Sequence, residues 1–374
     1  IGRGDKAFTA LSQQAITVDL PTSITLEELV GFFANPQKAF LRNTLGIYLR
    51  DQAEEWNNEE PFALENFTDS RVREGILANQ LAQVLEEPDQ EIEELDDVST
   101  ESIESAESTE EGFAINKARG LLPHGEYGKL LHDHEFDSVK AILDYAPIDF
   151  SRHPLELPFQ HITLGLEADR GIAELPKLDL FKQVIEIRGV TKHASQQGIQ
   201  HLLVGNLYDY KKVALWLEHL FLCCSRPQGV KPMTHVIYRD NKATIKSWYL
   251  KPPKNPENIL ATWVEAYLHG LSQPLPFFAK TSNGYAKSFE KHQDQDKALG
   301  AAKALWRDGF SSSGEGSKSH NAYLYRDEEP LDDTFGAWAE LLLIPLLEHA
   351  AAEPPSVAST DIGQAAMEGG SDNE

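Results

Sequence analysis

Three side chains near the middle of this chain are of the types that split a phosphodiester. Asp169, Asp209 and Lys211 offer two carboxylates for a divalent cation and an ammonium to steady the attacking water. Such chemistry needs one Asp on a strand and a D/E-x-K triplet on its neighbour, because paired strands hold the carboxylates at metal-ligand spacing. Asp209-Tyr210-Lys211 has that spelling. It follows Gly205-Asn206, which end a strand, and precedes Lys212-Val213-Ala214-Leu215-Trp216, which begin a helix. Asp209 therefore has a second reading, as the N-cap of that helix, and the local sequence favours it.

Other chemistries find less support. Gly309-Phe-Ser-Ser-Ser-Gly314 has the glycine spacing of a phosphate loop, but Glu315 stands where the loop needs Lys, and a carboxylate repels phosphate. It reads as a flexible loop from Ser311 to Ser319. His132-Asp133-His134 falls on a helix, where residues two apart face different ways. No zinc-binding H-E-x-x-H and no nucleophile elbow G-x-S-x-G is present. Cys223 and Cys224 are adjacent, so they cannot bridge the chain or form a C-x-x-C knuckle, and a reducing setting fits.

The elements that would position these residues can be read from periodicity and caps. Thr25-Leu26-Glu27-Glu28 is a capping box that opens a helix carrying Leu29, Phe32 and Phe33. Pro36 starts the next helix, and another runs from about Leu64 to Leu85. A helix is expected over Glu126–Tyr145. Strands are expected over Leu155–Glu167, Val184–Lys192 and Ile199–Val204, the last two joined at Gln196-Gln197-Gly198 as a hairpin. Val213–Cys224 is an apolar helix, and His235–Tyr238 with Ala243–Trp248 is a second hairpin turning at Asp240-Asn241. Asn255-Pro256-Glu257 opens a C-terminal helical part that ends in an apolar helix over Phe335–Ala350. From Glu126 to Tyr238 the order is helix, three strands, helix, strand. That is the element order of the metal-dependent nuclease fold known by its site as PD-(D/E)XK. The fold class expected is α/β (α+β), a core of order αβββαβ with helical additions at both ends.

The 374 residues carry a net charge of −25, which argues against a DNA grip spread over the whole surface. Thirteen of the acids lie between Glu86 and Glu111 without one base, and removing them leaves −12. That run is Ser/Thr-rich and has no aromatic residue, so it reads as a disordered insertion. No apolar run approaches the ~20 residues of a membrane helix. A start at Ile1 without Met fits a piece of something longer. The organisation expected is a lead-in (1–20), a helical segment (21–85), an acidic insertion (86–112), the core (113–250), a helical segment (251–351) and a disordered tail (352–374). Bases and rings are interleaved around 182–193 and 211–212, which suits single-stranded DNA and equally an ordinary surface above an aromatic core.

Several segments together resemble the C-terminal region of the RecC family, the gamma chains of exodeoxyribonuclease V (the RecBCD helicase–nuclease). They are Leu26-Glu-Glu-Leu-Val-Gly-Phe-Phe-Ala-Asn-Pro36, Glu59-Glu-Pro-Phe-Ala-Leu64, Gly120-Leu-Leu-Pro-His-Gly-Glu-Tyr-Gly128, Ile187-Arg-Gly-Val190 and Leu215-Trp-Leu-Glu-His-Leu220. The resemblance implies a nuclease fold that has lost its catalytic residues. In active relatives a G-x-x-D precedes the D-x-K strand; the matching stretch is Gly189-Val-Thr-Lys192, with Lys in place of the metal-binding Asp. The D-x-K strand would fall at Gln200–Val204, which has no acid. The resemblance further implies a cytoplasmic scaffold for RecB-like and RecD-like subunits in DNA repair and recombination, one that helps guide or split DNA strands and has no cofactor of its own. Contact with DNA is expected at Lys192, His193, Lys211 and Lys212, with Asp209 as a helix cap. The alternative is an active Mg²⁺-dependent nuclease using Asp169, Asp209 and Lys211.

Overall fold

The computed structural model describes residues 18–49, 66–86, 110, 112–147, 155–166, 184–240, 242–309, 313–326 and 329–353. Most of the acidic run, Asp169, and the tail beyond residue 353 lie outside these. Strand β1 (Ser23–Thr25) leads into helix α1 (Leu26–Ala34), then α2 (Pro36–Ala39) and a π-helical turn over Phe40–Thr44. Next come α3 (Asn66–Glu86), α4 (Glu126–Tyr145), and strands β2 (Gln160–Gly165), β3 (Val184–Gly189), β4 (Ala194–Ser195) and β5 (Gly198–Leu203). Helix α5 (Asp209–Ser225) and the hairpin β6 (Thr234–Arg239)–β7 (Ile245–Leu250) follow. The chain then runs through α6 (Pro256–Ser272), α7 (Ala279–His292), α8 (Gln295–Trp306), α9 (Ser319–Leu324), α10 (Asp333–His349) and β8 (Ala350–Ala351).

The capping box at Thr25 forms as its spacing dictates. Thr25 Oγ1 accepts the Glu28 N–H at 3.1 Å, and Glu28 Oε2 accepts the Thr25 N–H at 2.7 Å. The second hairpin also forms, with Asp240 accepting the N–H groups of Lys242 and Thr244 at 2.9 Å each. The first expected hairpin does not. A strand has two edges, and both edges of β3 are taken: β1 pairs with it in parallel and β2 antiparallel. β5 instead turns back on the two-residue β4 and runs parallel to β6. The strands therefore sort into two sheets, of order β1-β3-β2 and β4-β5-β6-β7-β8. Neither the parallel partner supplied by β1 nor the edge strand β8, which follows directly from α10, had a periodicity of its own to announce it.

Helix α5 lies at the centre. Val213, Leu215, Trp216, Leu217, Leu220, Phe221 and Leu222 are buried, so the helix is apolar nearly all round, as a helix surrounded by protein must be. It packs on α1, α6, α7 and β2. One core cluster joins Ile24, Phe33, Ile187, Trp216, Trp263 and Leu342, drawing on both the N-terminal and C-terminal helices. The larger sheet uses its alternation to face two ways. Val236 packs with Leu207 and Leu215 next to α5, while Ile237 packs with Val72, Ile76 and Ile142 of α3 and α4.

The loop expected to be flexible is tied down over its described part, Ser313–Lys318. Glu315 and Gly316 donate their N–H groups to the carbonyls of Leu305 and Trp306 at 3.0 and 2.9 Å. The buried Glu315 carboxylate accepts the Thr281 N–H at 2.8 Å, so it fills the positive end of α7 itself. The proline at 345 does not end α10, which runs on to His349. No helix among the described residues is long and apolar enough to cross a membrane.

His219, fully buried on α5, fastens the helix to the larger sheet. Its Nδ1 accepts the Thr234 hydroxyl at 3.0 Å, and its Nε2–H donates to the Lys251 carbonyl at 3.1 Å. Burial pushes its pKa from 6.5 down to about 4. Above pH 6.5 the ring is neutral in both folded and unfolded chains. As pH falls toward 4, only the unfolded chain takes up the proton, so stability is lost across that window. Burial pushes His235 and His269 down to about 4 as well, so equilibrium unfolding followed between pH 7 and 4 is expected to show a summed loss, and His219→Gln to reduce it by one group's share while lowering stability at pH 7.

Candidate functional site

Asp209 occupies the first helical position of α5, one residue later than a cap would. Tyr208 is extended, and its carbonyl accepts the N–H groups of both Lys211 and Lys212, so the first turn closes on Tyr208. The N-cap is therefore Tyr208, without a side-chain cap bond, and the reading of Asp209 as cap is corrected. The Asp209 carboxylate is engaged sideways instead. Oδ1 accepts from Lys212 Nζ at 2.8 Å and from Asn283 Nδ2 of α7 at 2.7 Å. Asn283 is buried, so this bond ties two packed helices together. Lys287 stands in the same cluster; burial pushes its pKa down, and Lys212 pushes it further.

The four expected DNA contacts do not form one patch. Lys192 leans onto α1, with Nζ 2.7 Å from Glu27 Oε1, and both side chains are mostly exposed. Each holds the other charged: Lys192 is pushed up by Glu27, and Glu27 down by Lys192. His193 has a left-handed φ of 54° and packs against His201, with ring centroids 4.8 Å apart and the planes tilted by 54°. His201 Nε2 lies 3.3 Å from Glu218 Oε2 of α5. Burial, then the neighbouring His201, pushes the His193 pKa down, so its ring is neutral at pH 7. Lys192 lines a mostly apolar groove of about 380 Å³ between α1 and the end of β3, floored by Leu26, Val30, Gly189 and Val190. Lys212 is held by Asp209, while Lys211 faces a separate cleft of about 980 Å³. Consecutive residues at a helix start diverge by about 100°, which is why a KK pair serves two surfaces.

The remaining candidates separate as well. His132 is buried against Phe113, Asp133 is half exposed, and His134 lines the larger cleft. Among the described residues no three His, Cys, Asp or Glu side chains are grouped to hold a metal. Burial pushes the Cys223 thiol up to about 12, which keeps it protonated and unreactive. Glu27, His201, Glu218 and Asn283, which hold the candidate residues, were not singled out by sequence reasoning. Their partners lie up to 165 residues away, and no local pattern reports such pairs.

The fold and these contacts define a mixed α/β unit with two sheets around a buried helix, its candidate acid occupied by structural bonds. The family model of the RecC C-terminal domain matches residues 21–290. This chain belongs to that family. It is similar to the RecBCD enzyme subunit RecC of Escherichia coli (strain K12), 22% identical over 328 residues, which are 85% of this chain and 25% of that protein. It is also similar to the RecBCD enzyme subunit RecC of Buchnera aphidicola subsp. Schizaphis graminum (strain Sg), 24% identical over 284 residues, or 74% and 22% of the two chains. The chain thus spans about a quarter of the length of the curated relatives it matches.

The tie between α5 and α7 makes a prediction about Asp209. Asp209→Ala is expected to destabilise the chain by about 1–2 kcal/mol, since it leaves the buried Asn283 amide unpaired. Asp209→Ser, a good cap, is expected to be no better than Ala, while Asp209→Asn recovers part of the loss. Thermal or denaturant unfolding of the three variants measures this; a Ser variant as stable as the wild type would restore the capping role.

Proposed function

We propose that this chain is the non-catalytic C-terminal part of a RecC-like subunit of an ATP-dependent helicase–nuclease, exodeoxyribonuclease V. In that role it works in the bacterial cytoplasm in double-strand-break repair and recombination. It scaffolds RecB-like and RecD-like subunits and helps to guide or split the DNA strands. Membership of the RecC C-terminal domain family supports the assignment to such a subunit. The observation that carries the non-catalytic reading is the Asp209 carboxylate, bonded to Lys212 and Asn283 on the first turn of a helix. A metal-binding Asp must keep its oxygens available on a strand beside a second carboxylate.

Residues 113–250 are read here as an inactivated PD-(D/E)XK-like core, with helical segments at 21–85 and 251–351 packed onto it. The element order α4, β2, β3, β5, α5, β6 supports this. So does Lys192, which stands just beyond β3 where active relatives would have an acid and pairs with Glu27. The competing nuclease reading needs Asp209 released from both its partners and joined by Asp169 and Lys211.

The chain is therefore expected to leave linear single- and double-stranded DNA intact with Mg²⁺ or Mn²⁺. Electrophoresis of end-labelled substrates measures this. Degradation that disappears in Asp209→Ala would overturn the non-catalytic reading.

A further inference from the structure

The larger cleft sits where open α/β sheets bind ligands, at the carboxyl ends of parallel strands. β5 and β6 run parallel up to Leu203 and Tyr238, and the cleft opens beyond them between Val204, Tyr208, Lys211 and Arg239. α3 and α4 form its far wall through Arg71, Arg73, Glu74 and Glu135. Two features stand out. Tyr208 and Tyr210 are parallel, with an interplanar angle of 9° and centroids 6.0 Å apart, yet 52% and 44% exposed. Each therefore leaves about half of its surface uncovered by the chain, an open aromatic face.

The second feature is charge. Of the acids lining the cleft, Glu135 is bonded to Arg73, and Asp240 to Lys246 at 2.6 Å and to its own turn. Glu74 and Arg71 lie on the far wall, opposite Lys211 and Arg239. Lys211 and Arg239 have no carboxylate partner among the described residues. A local cationic excess on a chain of net charge −25 is a departure from the rest of the surface.

We propose that this cleft, and not the groove beside Lys192, is the seat for a single-stranded DNA segment. Unpaired bases stack on the Tyr208–Tyr210 face, and successive phosphates meet Lys211, Arg239 and Arg71. Base–aromatic stacking with cations along the backbone is how single strands are held without sequence preference. A duplex hides its base faces and cannot use the tyrosines. A mononucleotide cannot use cations contributed separately by α3, α5 and the end of β6. The inference rests on the reading of the chain as part of a DNA-processing subunit, and it names the surface within that reading.

The test uses this chain with an oligo-dT strand of about 12 nucleotides, within the span such sites cover. Fluorescence anisotropy at low salt gives affinity, and ultraviolet crosslinking of a 5-iododeoxyuridine version followed by peptide mapping gives location. Adducts are expected on Tyr208 and Tyr210. Replacing both by Ala should weaken binding about tenfold or more, while replacing both by Phe, which keeps the rings, should leave it near wild type. Lys211→Gln with Arg239→Gln should lower the slope of log affinity against log salt by about 0.7 per charge. Melting curves for each variant separate lost binding from lost folding, and the Phe pair covers the case in which the Ala pair unfolds. Adducts confined to the Lys192 groove would overturn the inference and leave the DNA-guiding reading standing. No binding at all would also overturn it, while subunit assembly and the cleavage assay still judge that reading separately. Competition by thymidine monophosphate or by polyglutamate as effective as that of the strand would assign the cleft to a nucleotide or an acidic peptide and overturn it too.

Discussion

The rest of the structure depends on the burial of one helix. Residues Asp209–Ser225 are apolar on nearly every side, and beyond the first turn only a narrow face around Glu218 keeps partial access to water. Burying a side chain such as Leu or Phe contributes about 1.5–3 kcal/mol, so seven such residues make this a strong local demand among the described residues. Elements distant in sequence answer it. α1 comes from the start of the chain and α6 from beyond the hairpin, and both sheets turn inward-facing residues toward the helix. Trp216, Trp263 and Phe33 are all buried to within 1% in the same cluster.

That demand explains where polar groups are tolerated. His219 is accepted on the buried helix because both ring nitrogens are bonded, one to Thr234 and one to Lys251. At the helix start, Asp209 is accepted because Lys212 and Asn283 satisfy it. At mid-helix, Glu218 faces His201 and, more distantly, raises the Lys192 ammonium further after Glu27 has done most of it. The titratable groups around the expected nuclease site are thus occupied with holding helices and strands to one another. The larger cleft differs in that some of its cations are left over.

Much of this was legible in the sequence. The capping box at Thr25, the helix over Val213–Cys224, the hairpin turning at Asp240 and the helix opening at Pro256 are local signals, and each formed within a few residues of its expected place. Strand partnership was not legible. β1 is three residues long, and β3 accepts it in parallel across the 158 residues from 26 to 183, so no hairpin rule applies. The cap at Asp209 missed by one residue, and that residue changed its role, because a side chain at the first helical position points to a neighbouring helix instead of its own N–H groups. Lys192 and Lys211 line different clefts for a related reason. Sequence proximity on either side of a strand and a helix does not fix which surface a long side chain reaches. The exposed tyrosines at 208 and 210 carried a signal that was available: aromatic residues flanking a helix start with no apolar periodicity of their own.

The central claim is that Asp209 is a structural residue in a fold of nuclease element order, and that no divalent cation uses it. Anomalous diffraction from crystals of this chain soaked in Mn²⁺ tests it most directly. The account predicts no anomalous peak at Asp209, with Oδ1 still bonded to Lys212 and Asn283. A Mn²⁺ ion bound by Asp209 together with a second carboxylate, and Lys211 turned toward its water, would contradict it.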